Sequence, residues 1–235
     1  MIETILQLSK KYHGNWDKIY QAIALKEKVD SFDENLINKS NYIFITDNDY
    51  PDKLKNIFVP PFFLFYIGNK NLIDSNVISI NGQINIKEMR DFLSIDQLKN
   101  HTICLNYHEI NSKVLNLIIE EKRKLILVVE GGIDNFDYQF DNLDDMNNNI
   151  LIISEYNDAN YYDKSDNQTI ERLMFAFSDT ILINNYELLL AKKLLSNLVN
   201  VEKPVYCLEK YKSKIVFLKL NNSKIEYINS FKDIK

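Results

Sequence analysis

Two adjacent glycines follow an apolar run in Val128-Val129-Glu130-Gly131-Gly132-Ile133-Asp134. Such a pair lets a ligand come close to the backbone, and it serves equally in ordinary turns. A second group follows the run Ile152-Ile153-Ser154-Glu155-Tyr156, where Tyr156, Tyr161 and Tyr162 share a stretch with Lys164 and Arg172 comes after. Rings beside cations hold single-stranded nucleic acid without reading its sequence, because bases stack and phosphates meet positive charge. Arg172 has two readings, a guanidinium on phosphate or a solvated helix residue paired with a neighbouring carboxylate. The acidic stretch Asp134, Asp137, Asp141, Asp144 and Asp145 invites a calcium or magnesium site, but Phe136, Tyr138 and Phe140 interrupt the alternating oxygens of an EF-hand. It reads as a solvated loop. His101, Cys104 and His108 make a poor zinc set, since strand alternation and the turn after it would not aim all three at one centre. The sequence contains no G-x-S-x-G elbow, Walker lysine motif or H-E-x-x-H. It offers binding groups, with no catalytic constellation and no cofactor or metal motif.

The elements that must position these groups are visible as periodicities. Apolar runs at 77–80, 103–105, 125–129, 150–153, 180–183 and 205–208 alternate with helical stretches, as successive βαβ units require. This predicts an α/β fold with a mostly parallel, Rossmann-like sheet, in which ligands bind at the strand ends. Residues 1–40 read as a small helical region, with Ile2, Ile5, Leu6 and Leu8 on one segment and Trp16, Ile19, Tyr20, Ile23 and Ala24 on the next. Residues 41–235 form the α/β domain. Asn41–Thr46 alternates like a strand, Pro51 is placed to open a helix, and Tyr186–Leu198 is a leucine-rich helix that suits the sheet or a dimer interface. Lys214–Leu218 and Lys224–Ile228, separated by Asn221-Asn222-Ser223, read as a hairpin or edge pair.

Composition bounds the function. A chain of 235 residues, 46% hydrophobic, can bury a substantial core and is too apolar to be disordered. No segment is long and apolar enough to span a bilayer as a helix. Met1–Leu6 lacks the features of a secretory signal, so a cytoplasmic location is expected. Cys104 and Cys207 both sit in apolar runs and are expected to be buried thiols. The net charge of −5 argues against a generally basic surface, although a local basic stripe is compatible with it.

Several segments resemble the DNA processing protein A (DprA/Smf) family. Asp47–Leu54 is similar to the family's D-x-x-Y-P-x-x-L, and Pro60–Asn69 to its P-P-x-x-L-F-Y-x-G-N. Ile152–Tyr156 with Arg172–Ile183 resembles its L-I-S-E-Y followed by R-x-R-x-x-A-G-L-S-D-A-V-L-V-V. The resemblance covers roughly residues 41 to 210 and marks the chain as a divergent member. It implies single-stranded DNA binding, delivery to a RecA-type recombinase in DNA uptake or recombination, a homodimer, and no bond-making chemistry. It also assigns sites. The family's V-G-S-R phosphate turn falls on Ile80-Asn81-Gly82-Gln83, where Gly82 keeps the turn and Gln83 replaces the arginine. The glycines of S-G-x-A-x-G-I-D are missing near Leu105–Asn111, whereas Gly131, Gly132 and Asp134 match G-G-x-D. Arg172 is the retained member of an arginine patch. With Tyr156 and Lys164 added from the aromatic stretch, the DNA- or phosphate-binding set is Gly82, Gln83, Gly131, Gly132, Asp134, Tyr156, Lys164 and Arg172. Two alternatives stand beside it: a scaffold that has lost DNA binding and serves protein interaction, and a nucleotide-processing Rossmann enzyme.

Overall fold

The computed structural model describes residues 1–29, 41–57, 59–133, 148–157, 168–185, 202–213 and 225–235. Within these, the strands are β1 (Asn41–Phe44), β2 (Phe63–Gly68), β3 (Val77–Asn81), β4 (Thr102–Asn106), β5 (Leu125–Val128), β6 (Ile150–Ser154), β7 (Thr180–Ile183), β8 (Val205–Leu208) and β9 (Ile225–Ile228). The helices are α1 (Ile2–Lys11), α2 (Trp16–Ala24), α3 (Asp52–Lys55), α4 (Ile86–Leu93), α5 (Ser112–Glu120) and α6 (Gln168–Phe177). Each apolar run singled out from βαβ alternation becomes a strand. They form one sheet in the order β1-β2-β6-β5-β4-β3-β7-β8-β9.

From β6 through β9 every neighbouring pair is parallel, and β2 runs against both β1 and β6. The chain steps outward from β3 to β6, then returns to lay β7 on the other side of β3. The carboxyl ends of β3 and β7 are therefore the topological switch point, where doubly wound sheets open a crevice. β9 pairs in parallel with β8, Val205 opposite Ile225, and stands at the edge of the sheet among the described strands. Residues 214–218 and the 186–198 segment lie outside the described residues.

Burial on both faces explains the near-continuous apolar strands. Leu125 and Leu127 pack on the side of α4 and α5 with Met89, Phe92, Val114 and Ile118, while Ile126 and Val128 pack on the side of α6 with Ile170, Leu173, Met174 and Phe177. The N-terminal helices join the first of these layers: Ile5, Leu6, Leu8, Ile19 and Ala22 share a core with Phe44, Phe63 and Phe65. Cys104 and Cys207 are buried free thiols, and burial raises both, Cys207 to about 12 with Glu209 contributing.

The D-x-x-Y-P-x-x-L segment has a structural explanation. Asp47 Oδ2 accepts from Phe44 N at 2.8 Å, and the buried Tyr50 hydroxyl donates to Pro61 O at 2.7 Å. Lys53 Nζ donates to Phe177 O at 3.0 Å and to Asp179 Oδ2 at 2.9 Å, while Lys203 Nζ reaches Phe175 O and Ala176 O at 2.7 and 2.9 Å. Two ammonium groups thus satisfy the last carbonyls of α6, where the helix dipole is negative. This anchors α6 relative to β3 and β7.

Candidate nucleic-acid interface

The crevice at the switch point encloses about 480 Å³. Its walls come from the turns after β3, β4, β7 and β8, including Gln83, Asn85, Glu109, Asn111, Lys113 and Asn185, with Ile84, Ile86, Ile110 and Val114 as apolar surface. A volume of this size suits a nucleoside-sized group.

Gly82 makes the first turn possible. Its φ of 91° lies in the left-handed half of conformational space, where a Cβ would be strained. The turn then docks on the neighbouring strand exit: Gln83 N donates to Asn185 O at 3.1 Å, and Asn184 Nδ2 donates to Gln83 O at 2.7 Å. Beneath it, Asn81 Oδ1 and Asn184 Oδ1 are buried acceptors with no hydrogen-bond partner among the described residues.

Behind this turn, the amino terminus of α4 is the natural place for an anion, since its first N–H groups point outward with the positive end of the helix dipole. Here the chain supplies its own. Asn85 caps the helix, its Oδ1 accepting from Lys87 N and Glu88 N at 3.0 Å each, and Glu88 Oε2 accepts from Asn85 N at 3.1 Å, a complete capping box. Glu88 is 5% exposed. Its Oε2 also accepts from Asn184 Nδ2 at 3.1 Å, and its Oε1 accepts from the Tyr211 hydroxyl at 2.5 Å and from Lys210. Burial on its own would raise this carboxyl, but Lys210, Tyr211, the Asn85 N–H and Asn184 together hold it below the ordinary glutamate value. A carboxylate stands where phosphate would be captured. Across the crevice α5 is capped likewise, Asn111 Oδ1 accepting from Lys113 N at 2.9 Å. Both caps turn their oxygens to their own helices and leave the Asn85 and Asn111 amide groups as potential donors.

Further along the same carboxyl edge lie the other residues singled out from sequence. Gly131 has φ 77°, and its carbonyl accepts from Ser154 Oγ, which itself accepts from Tyr156 N at 3.1 Å. Gly132 bridges Tyr156 in parallel register, and Ile133 N donates to Tyr156 O at 3.1 Å. Gly82, Gln83, Gly131, Gly132 and Tyr156 thus share one edge of the sheet, the first two at the crevice and the others two and three strands away. Asp134, Tyr161, Tyr162 and Lys164, with the rest of the acidic stretch 137–145, lie outside the described residues.

The structure pairs Arg172 with a carboxylate and leaves it less solvated than a surface helix residue would be. Its Nη2 pairs with Glu155, with side chains 18% and 10% exposed respectively, so the guanidinium is engaged by a carboxylate and largely shielded. His101, Cys104 and His108 have separate surroundings. Cys104 lies in the core against α6, His101 Nε2 is 2.9 Å from Asn76 Nδ2, and the His108 ring meets Tyr107 edge-on. Among the described residues no three His, Cys, Asp or Glu side chains gather as a metal site.

Sequence reasoning missed Glu88 with Lys210 and Tyr211, and the Asn184-Asn185 pair. The Asn85-x-x-Glu88 spacing was the available signal for the cap. Nothing local could announce Lys210, 122 residues further on.

Residues 41–102 match the family of DNA recombination-mediator protein A. Among solved structures, DNA processing protein A (DprA) of Streptococcus pneumoniae superposes with a TM-score of 0.62 at 17% identity, covering 93% of this chain and 79% of that one. DprA of Helicobacter pylori, whose structure describes a single-stranded DNA binding mode, gives a TM-score of 0.62 at 17% identity, covering 82% of this chain and 93% of that one. No curated protein matches the chain. Residues 41–102 thus match the DNA recombination-mediator protein A family, and the chain as a whole carries the fold of the two DprA structures.

Proposed function

We propose that the protein binds single-stranded DNA along the carboxyl edge of its sheet and serves as a recombination mediator. The observation that carries this reading is an open crevice at the switch point of a sheet whose 41–102 segment matches a recombination-mediator family. The family's arginine is replaced by Gln83, and the α4 amino terminus is filled by Glu88. Contact is therefore made through bases: amide donors from Asn85 and Asn111, apolar walls from Ile84, Ile86, Ile110 and Val114, and close backbone approach at Gly82 and Gly131. Delivery of the strand to a RecA-type recombinase and homodimerisation complete the proposal on the family resemblance alone, and a cytoplasmic location is proposed with them.

The test is fluorescence anisotropy of a labelled single-stranded oligonucleotide against the purified chain across a salt series, with duplex as competitor. Saturable binding with preference over duplex is the expected result. Absence of binding at low salt overturns the reading. One observation favours a second, in which the scaffold serves protein interaction: both charged groups best placed for phosphate chemistry, the α4 amino terminus and Arg172, are occupied by the chain's own carboxylates. A stable partner recovered from extract after nuclease treatment, with no oligonucleotide binding, would establish that alternative.

A further inference from the structure

The aromatic residues of α2 are arranged unlike core residues. Trp16 stacks in parallel on Tyr20, with centroids 5.0 Å apart and planes 8° from parallel, and also on Phe62, at 5.3 Å and 13°. Trp16 Nε1 donates to Pro60 O at 2.8 Å, which sets the plane of the indole. Phe62 is partly buried, but Tyr20 is 56% exposed, and Ile23 and Leu25 beside it on the chain are exposed as well. The result is a ring held flat by a rigid stack with much of its surface in water. Packing explains Trp16 and Phe62, which tie α2 to the entry of β2. It does not explain an exposed tyrosine on the same stack.

Location and charge give this surface a use. Because β2 is antiparallel to β6, with Phe65 opposite Ser154, its first residues lie at the carboxyl edge of the parallel strands. Phe62 precedes β2, so the stack stands on the same edge as Gly131, Tyr156 and the crevice. Four strand spacings separate β2 from β3, roughly 19 Å at about 4.8 Å each. A strand several nucleotides long covers that distance. Lys18 lies between Trp16 and Tyr20 on α2, and residues 1–40 balance six lysines against six acidic residues in a chain whose total is −5. An open ring beside a lysine, in a region without net negative charge, is a combination that holds unpaired bases.

We propose that the exposed ring of Tyr20, held flat against Trp16, is a stacking platform for an unpaired base of single-stranded DNA. The proposal rests on the DNA-binding reading above and gives it a second contact remote from the crevice. Trp16 is the protein's one tryptophan, so its emission reports on this stack alone. Titration with an oligothymidylate is followed by Trp16 emission and, with a labelled strand, by anisotropy. The expected result is a change in Trp16 emission that saturates with the anisotropy, roughly tenfold weaker binding in Tyr20→Ala, and affinity retained in Tyr20→Phe. Binding by anisotropy that is equal in wild type and Tyr20→Ala, with Trp16 emission unmoved, overturns the platform and leaves the DNA-binding reading intact. No binding by either signal at low salt overturns both. Tyr20 is on the surface, and thermal unfolding of each variant confirms that it is folded.

Discussion

Glu88 is the residue on which the character of the crevice turns. A carboxylate on a helix amino terminus excludes the phosphate that the same N–H groups would otherwise attract, and it is built in by Asn85, Asn184, Tyr211 and Lys210. Its folded-state pKa lies below the ordinary value of 4.5, so the stability it contributes is complete above that value and is lost as pH falls through the lower folded value. Thermal unfolding should show Glu88→Gln less stable than wild type at neutral pH by about 1–3 kcal/mol, with the gap closing on acidification below 4.5. A gap that persists at low pH would mean that packing, and not charge, is what the glutamate supplies. Arg172 makes the opposite case, a cation paired with a carboxylate. Arg172→Ala removes that pair and should cost about 3 kcal/mol in denaturant unfolding. It should leave the salt dependence of DNA binding unchanged, whereas loss of a phosphate contact would reduce the slope by about one.

At the scale of elements, the turn after β3 and the caps of α4 and α5 shape the crevice. Gly82 at φ 91° and the docking of Gln83 on Asn185 require a residue without a side chain, so Gly82→Ala should destabilise by about 1–2 kcal/mol and weaken oligonucleotide binding in anisotropy. Unaltered unfolding would show that the turn relaxes without loss. Much of this level could be read in the sequence. Runs of four apolar residues, Leu125–Val128 and Ile150–Ile153 among them, are strands because both faces are buried, and Gly82, Gly131 and Gly132 mark turns along one edge. The direction of the outer strands could not be read. β2 lies antiparallel on β6 and β9 lies parallel on β8, and both outcomes depend on how a connection crosses the sheet, which local alternation does not encode. The site was legible in its glycines and illegible in its charges. Arg172 and Glu155 are 17 residues apart and Glu88 and Lys210 are 122 apart, so the neutralisation that decides the chemistry arises only on folding.

On the scale of the whole molecule, a chain of net charge −5 must approach a polyanion. Long-range repulsion opposes that encounter at low salt and is screened within about 8 Å at physiological ionic strength. Counterion release, the usual source of affinity, is limited here because Glu88 and Glu109 line the crevice along with Lys113, and Lys210 is paired with Glu88. Base stacking and amide contacts carry no comparable salt dependence. Single-stranded DNA affinity should therefore fall by less than about tenfold between 50 and 200 mM salt, whereas a protein gripping six to ten phosphates loses about 10³–10⁵ over that range. Gln83→Arg restores a cation to the turn after β3 and should steepen the slope by about one. A steep slope in the wild type would instead place most of the affinity in lysine–phosphate contacts. An unchanged slope in Gln83→Arg would show that Glu88 and Glu109 keep phosphate out of the crevice even when an arginine is supplied.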